Sequence, residues 1–327
     1  MRLPAIVVVL CAAVFASGSA VAAHPQRCPH APALGTIAFV RGPQRHAVSF
    51  ADCADRTLGR AVPSQPQVRS HRGDVATVTV TAPVDGIGAQ TILVDGRPVY
   101  RVREDYRHTP GGSPGLLIPL DWSPDGNWLF FSLDPDSSAS IASDGLVLRA
   151  LRVADGHVAP VTTVLMNDDY RTWCGSTLVL TAGHDRIAST SKRLVVAAAP
   201  DWKPRPLWDD PKRAFGSVAC SPDGSRVAVL SQPSSVNASF FATRWQLWQV
   251  GLDGSRRLLD TPPAGYADES PLWSPRGDAL LFVRERRGHG SAMLLRNGIL
   301  SGPVAQLGYS LGFYGHHAWW VGATWHE

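Results

Sequence analysis

The sequence predicts an all-β protein, a ring of six similar four-stranded units, and three observations carry that prediction. A Ser-Pro-Asp-Gly type of turn between apolar strands recurs about every 50 residues. A second turn, Asp-Gly, recurs between copies of the first. Glycine and proline are abundant, at 30 and 26 residues, while charged residues make up only 18% of the chain. Such a composition favours short strands and tight turns over helices.

The first turn is clearest in three segments: Leu120 to Phe131, Val218 to Val229 and Pro271 to Phe282. Each reads strand, turn, strand, with proline presetting φ at the second turn position and glycine supplying the reversal. Pro222 follows Pro124 by 98 residues, twice 49, and Pro275 follows Pro222 by 53. That period predicts degenerate copies, and Arg171 to Leu180, Ser70 to Val78 and Gly315 to Val321 fill the slots. The second turn stands at Asp95-Gly96, Asp155-Gly156 and Asp253-Gly254, a strong two-residue hairpin signal. Two hairpins per period make four strands, and four-stranded units at this spacing stack radially as blades.

Counting the marks gives five whole blades. The sixth is expected to be composite, with two strands from Thr36–Val40 and Ala47–Phe50 and two from the residues around and after Trp319. The predicted fold is therefore a six-bladed β-propeller, closed by pairing N- and C-terminal strands in one blade. A seventh blade would require the N-terminal stretch to hold a whole unit. Trp122, Trp173, Trp273 and Trp319 lie near the repeat marks, where packing between blades is their expected role.

The first residues read as an export leader. Met1-Arg2 is followed by the apolar run Leu3 to Phe15 and the small-residue stretch Ala16 to Ala23. Residues 1–23 are thus expected to be a signal peptide, and 24–327 a single propeller domain. Cys11 follows Val8-Val9-Leu10, without the small residue of a lipid-attachment motif. No other run suits a membrane helix of roughly 20 residues. The expected location is secreted or periplasmic, in the cell envelope. In such a compartment Cys28, Cys53, Cys174 and Cys220 suggest two disulfides. Three pairings are open. The repeat alignment favours Cys174–Cys220, at near-equivalent places in consecutive inner strands, and Cys28–Cys53, pinning the N-terminal arm. The formal charge is +4 with arginine spread along the chain, so no nucleic-acid face is expected. The closed ring is read as a monomer.

The turn segments resemble the TolB-like family of WD-repeat-like propellers, whose repeat runs approximately Pro-x-Trp-Ser-Pro-Asp-Gly before an apolar strand. Ser270 to Pro275 matches it, with Arg276 in place of the aspartate, and Leu120 to Phe131 matches almost fully. Val218 to Val229 carries Cys220 where the family has tryptophan. The resemblance implies the propeller fold, a periplasmic or secreted location and protein partners. The chain matches no TolB-type N-terminal partner-binding extension.

Motifs for chemistry are sparse. Gly111-Gly112-Ser113-Pro114-Gly115 spells a nucleophile-elbow pattern, but it leads into a strand where that mechanism needs a helix. Gly86-Ile87-Gly88 reads as a turn, and Asn237-Ala238-Ser239 is a glycosylation sequon. Propellers bind at the channel mouth, where the loops entering the inner strands converge. Here those loops carry Asp168, Asp169, Tyr170 and Arg171, then Asp268 and Glu269, then His316 and His317. Converging carboxylates and imidazoles would suit a divalent cation or an acid–base pair, and otherwise these are solvated loop residues. No other cofactor is expected. The favoured function is recognition of a protein or envelope polymer at the mouth. The alternatives are a metal-dependent lyase or hydrolase acting there, and an adaptor using blade edges.

Overall fold

The computed structural model describes residues 28–61, 68–84, 87–105, 116–134, 145–234, 244–310, 317, 319 and 323–327. The expected leader at 1–23, Ser113 and its glycines, the sequon at Asn237 and His316 lie outside them.

The chain is a six-bladed, all-β ring. Blade 1 contains β1 (Thr36–Arg41), β2 (Gln44–Ser49) and β3 (Asp55–Arg60). Blade 2 runs β4 (Val68–Arg69), β5 (Val75–Val84), β6 (Ile87–Val94) and β7 (Arg97–Asp105). Blade 3 runs β8 (Leu116–Trp122), β9 (Trp128–Asp134), β10 (Gly145–Arg152) and β11 (Val158–Leu165). Blade 4 runs β12 (Arg171–Cys174), β13 (Thr177–Ala182), β14 (Arg193–Ala197) and β15 (Arg205–Trp208). Blade 5 runs β16 (Arg213–Cys220), β17 (Arg226–Pro233), β18 (Gln246–Gly251) and β19 (Arg256–Asp260). Blade 6 runs β20 (Ala267–Trp273), β21 (Ala279–Arg286), β22 (His289–Arg296) and β23 (Ile299–Tyr309). Blades 3 and 4 touch through one strand pairing, Val164 with Ala182, and are otherwise separate antiparallel sheets.

Closure differs from the expected two-plus-two arrangement. Among the described residues, the N-terminal region supplies three strands and the C-terminal end supplies one, β24 (Thr324–His326), pairing Trp325 with Ile37. The strand missed in the sequence, Asp-Arg-Thr-Leu-Gly-Arg, is exposed at every position, so no apolar alternation marks it.

Strand period explains where the core sits. The second strand of a blade is buried on both faces, so it reads as an unbroken apolar run. In β21, Leu280 and Phe282 pack toward blade 5, while Leu281 and Val283 pack toward blade 1. In β9, Leu129 and Phe131 face blade 2 and Trp128 and Phe130 face blade 4. The five clusters formed in this way lie between neighbouring blades, from the 2–3 junction round to the 6–1 junction.

The repeated tryptophan adds a hydrogen bond at these junctions. Trp122 Nε1 donates to the Val68 carbonyl (3.1 Å), Trp173 Nε1 to Asp121 (2.8 Å) and Trp273 Nε1 to the Ala219 carbonyl (3.0 Å). Each acceptor lies on the inner strand of the preceding blade. Where the repeat has Cys220 instead, the Cys174–Cys220 disulfide bridges the same junction. Cys28–Cys53 ties the N-terminal arm to the β2–β3 connection, so the structure contains the favoured pairing.

The repeat turns explain the sequence variants. In Ser-Pro-Asp-Gly the serine hydroxyl bonds the aspartate two residues on, Ser123 to Asp125 and Ser221 to Asp223, both at 2.5 Å. Where arginine replaces that aspartate, an acid four residues on takes its place: Ser70 bonds Asp74 (2.7 Å) and Ser274 bonds Asp278 (2.9 Å). The turn glycines Gly126, Gly224 and Gly277 have φ near +70°, which a side chain would oppose.

Candidate functional site at the loop end of the ring

The ring has two unlike ends. One, the turn end, carries the repeat turns, the Asp-Gly hairpins and both disulfides. The other, the loop end, carries the segments that enter the inner strands and the turns between second and third strands. Of the eight sequence-predicted residues, the seven that are described belong to the loop end or to the strand starts beneath it, and His316 lies outside the described residues.

The three consecutive residues before β12 go three ways. Asp168 is at the surface, its side chain 80% exposed, and accepts a hydrogen bond from Arg171 Nη2 (2.6 Å). Asp169 turns toward blade 5 and accepts from the Ser217 hydroxyl at 2.6 Å. Tyr170 is buried among blade 5 and blade 6 side chains. Burial, and then the negative charges of Asp169 and Glu269, push its hydroxyl well above the usual tyrosine range. The turn Asp168–Tyr170 is a single 3-10 turn, which fans successive side chains around its axis.

Asp268 and Glu269 start β20 and, by strand alternation, face opposite ways. Asp268 is fully buried against Arg284, its cross-strand neighbour, with Nε at 2.8 Å and Nη2 at 3.2 Å. Arg284 also holds Asp260 on the outer strand of blade 5. Burial pushes the Asp268 carboxyl well above the usual carboxylate range, against the opposing pull of Arg284. Glu269 points to the segment that returns toward blade 1. One oxygen lies 3.1 Å from His317 Nδ1, the other accepts from Trp319 Nε1 at 2.8 Å, and the two rings stack 5.5 Å apart.

The structure therefore brings Asp169, Tyr170, Glu269 and His317 into one electrostatic neighbourhood, and it separates Asp168, Arg171 and Asp268 from it. Among the described residues no three His, Cys, Asp or Glu side chains converge as a metal would require. What the arrangement does chemically is brace: each buried carboxylate takes donors from another segment. Ser270, beside Glu269 at the β20 bulge, has φ +47° and a buried hydroxyl with no partner among the described residues.

Several contributors escaped the sequence reading. Ser217 is one, and its strand signal gives no hint that a neighbouring blade's aspartate would meet it. Arg284 and the charges after it are others. The run Arg284-Glu285-Arg286-Arg287-Gly288-His289 breaks the apolar pattern of β21 abruptly, and that break was the available signal.

No family model matches the chain, and no curated protein matches it. Solved structures similar to it include TolB from Acinetobacter baumannii, at 16% identity and TM-score 0.43, covering 81% of this chain and 62% of that one. A putative TolB from Agrobacterium tumefaciens is 14% identical with TM-score 0.43, covering 85% and 91%. An oligogalacturonate lyase in complex with manganese is 14% identical with TM-score 0.44, covering 86% and 76%. This chain thus spans 62% of the length of the Acinetobacter protein. Likeness at this level is a distant structural similarity to TolB and other propeller proteins, and it specifies neither ligand nor reaction. Among the described residues no helix is long and apolar enough to cross a membrane.

Proposed function

We propose that the chain is an exported, TolB-like binding module that takes a macromolecular partner, a protein or an envelope polymer, on the loop end of its ring. The observation that supports this reading is the bracing just described. Three carboxylates, the half-buried Asp169 and the buried Asp268 and Glu269, tie the segments of blades 4, 5 and 6 and the returning C-terminal segment to one another. A rim held in this way is ordered before a partner arrives, so little conformational freedom is lost on binding.

The test compares the two ends. Exposed charges at the loop end are reversed in Asp168→Arg/Lys212→Glu, and at the turn end in Asp201→Arg/Lys203→Glu. Crosslinked capture from envelope and secreted fractions is expected to lose its stoichiometric partner only with the loop-end pair. Loss with the turn-end pair alone would overturn the reading. A second reading, chemistry at the mouth by a lyase or hydrolase, draws on the Glu269–His317 contact, which orients an imidazole as an acid–base group. It requires turnover of an envelope polymer that His317→Ala abolishes while the fold is retained.

A further inference from the structure

A cleft of about 870 Å³ opens at the loop end between the β19–β20 connection and the face of blade 6. Its walls are apolar in large part: Pro263, Met293, Pro303 and the ring of Tyr266. Its polar groups are almost all cationic. Arg284 is neutralised by Asp260 and Asp268 beneath it. Arg286 and Arg287 have no carboxylate partner among the described residues, and His289 stands beside them. Among the described residues no carboxylate or carboxamide lines the cleft, and its two hydroxyls are engaged, Ser291 donating to Gln306 (3.0 Å) and the Tyr266 phenol meeting Arg286 (3.3 Å).

The cations are held in place. Arg286 lies over the Tyr266 ring, its guanidinium carbon 5.1 Å from the centroid, with Nη1 at 3.3 Å from the phenol oxygen. Arg286 and His289 are a cross-strand pair closing a two-residue turn in which Arg287 and Gly288 both have positive φ, 52° and 81°. That is the twist-matched hairpin turn, and it projects Arg287 outward. A side chain at residue 288 would run into the Tyr309 ring, so the tight turn requires its glycine. Glu285 does not cancel these charges in the cleft. It is on the opposite face of β21, buried, and accepts the Gly288 N–H.

From this geometry we infer that the Tyr266–Arg286–Arg287–His289 cleft binds an acidic polypeptide segment, its carboxylates on the two guanidinium groups and its apolar side chains against the proline and methionine walls. The inference rests on the loop-end binding reading and gives it a partner chemistry. Guanidinium forks suit carboxylates, and unpaired arginines in a concave site gain most from an anionic ligand. An acidic polysaccharide fits less well, because its hydroxyls need the amide and carboxylate partners that this lining lacks.

The test uses the whole processed chain and a short fluorescein-labelled peptide of alternating glutamate and leucine, read by anisotropy. Arg286→Gln/Arg287→Asn removes both charges, and asparagine suits the left-handed backbone at 287. This pair is expected to weaken binding by roughly tenfold or more. Arg45→Gln/Arg60→Gln, exposed in blade 1, removes the same net charge and is expected to leave binding unchanged. A glutamine-for-glutamate peptide is expected not to bind the wild type. Three outcomes would overturn the inference: no binding of the acidic peptide to the wild type, equal loss in both pairs, or polygalacturonate competing as well as the peptide. Each leaves the loop-end reading standing or falling on the capture experiment alone.

Discussion

Removing the Trp325 side chain tests how the ring is closed. Trp325 is 7% exposed, stacks on Phe50 at 5.5 Å between centroids, and donates Nε1–H to the Leu34 carbonyl at 2.5 Å. Among the described residues its strand is the one in blade 1 from the C-terminal end, so its packing joins the N- and C-terminal strands. Deleting a core tryptophan costs about 3–5 kcal/mol in lost contacts and cavity. The Leu34 carbonyl, left buried without a donor, adds about 1–3 kcal/mol, partly offset by relaxation. A total of about 5 kcal/mol for Trp325→Ala is the working figure. With an unfolding entropy of about 2.1 cal/mol/K per residue over roughly 300 residues, Tm falls by about 8 °C. Trp325→Phe keeps the stack and loses the donor, and should fall by about 3 °C. Circular dichroism melts measure both, and hydrogen exchange should show β1 amides losing protection in the alanine variant. Melting within about 1 °C of wild type, with β1 still protected, would refute terminal-strand closure.

Three further perturbations follow from the same geometry. Lys192 is buried with its ammonium on the carbonyls of Asp185 (2.5 Å), Ile187 (2.9 Å) and Thr190 (2.8 Å), and burial pushes it down to about 8. The unfolded chain binds that proton more tightly, so this group makes stability rise by about 2 kcal/mol between pH 7 and pH 9.5. Urea titrations should lose that rise in Lys192→Met, and an unchanged slope with pH would contradict the assignment. Glu269→Ala leaves the Trp319 indole N–H and His317 without their acceptor and should cost about 3 kcal/mol in urea unfolding, with shifted tryptophan fluorescence. A loss below about 0.5 kcal/mol would mean that the contact braces nothing. Cys174 and Cys220 enclose a separation of 46 residues. Replacing both with alanine should cost about 4 kcal/mol by chain entropy. An unchanged denaturation midpoint would show that the junction does not need its covalent bridge.

The scaffold was legible because its signals are local and repeated. A turn such as Ser221-Pro222-Asp223-Gly224 satisfies its own polar groups, and its period sets the blade count. The cysteine pairing was legible for the same reason, since Cys220 stands where the repeat has tryptophan. Blade 1 was legible only in part. β3 is exposed throughout, so only its pairing with β2 makes it a strand. The loop-end residues were located but not oriented. Nothing local distinguishes Asp168, which stays in solvent, from Asp169, which meets a serine 48 residues away. Arg284 lies 16 residues beyond Asp268 and reaches it through hairpin register. The Arg286–Arg287 cleft went unread because its apolar walls come from the β19–β20 connection and from blade 6 strands about 30 residues further on, and its charges look like a solvated strand end when taken alone.

The central claim is that partners meet the loop end. A photo-crosslinking amino acid placed at Asp168 or Lys212, and in parallel at Lys203 on the turn end, tests it most directly in the native envelope. All three positions are exposed. The account predicts a discrete adduct from residues 168 and 212 and none from residue 203. An adduct from residue 203, with none from the other two, would contradict it.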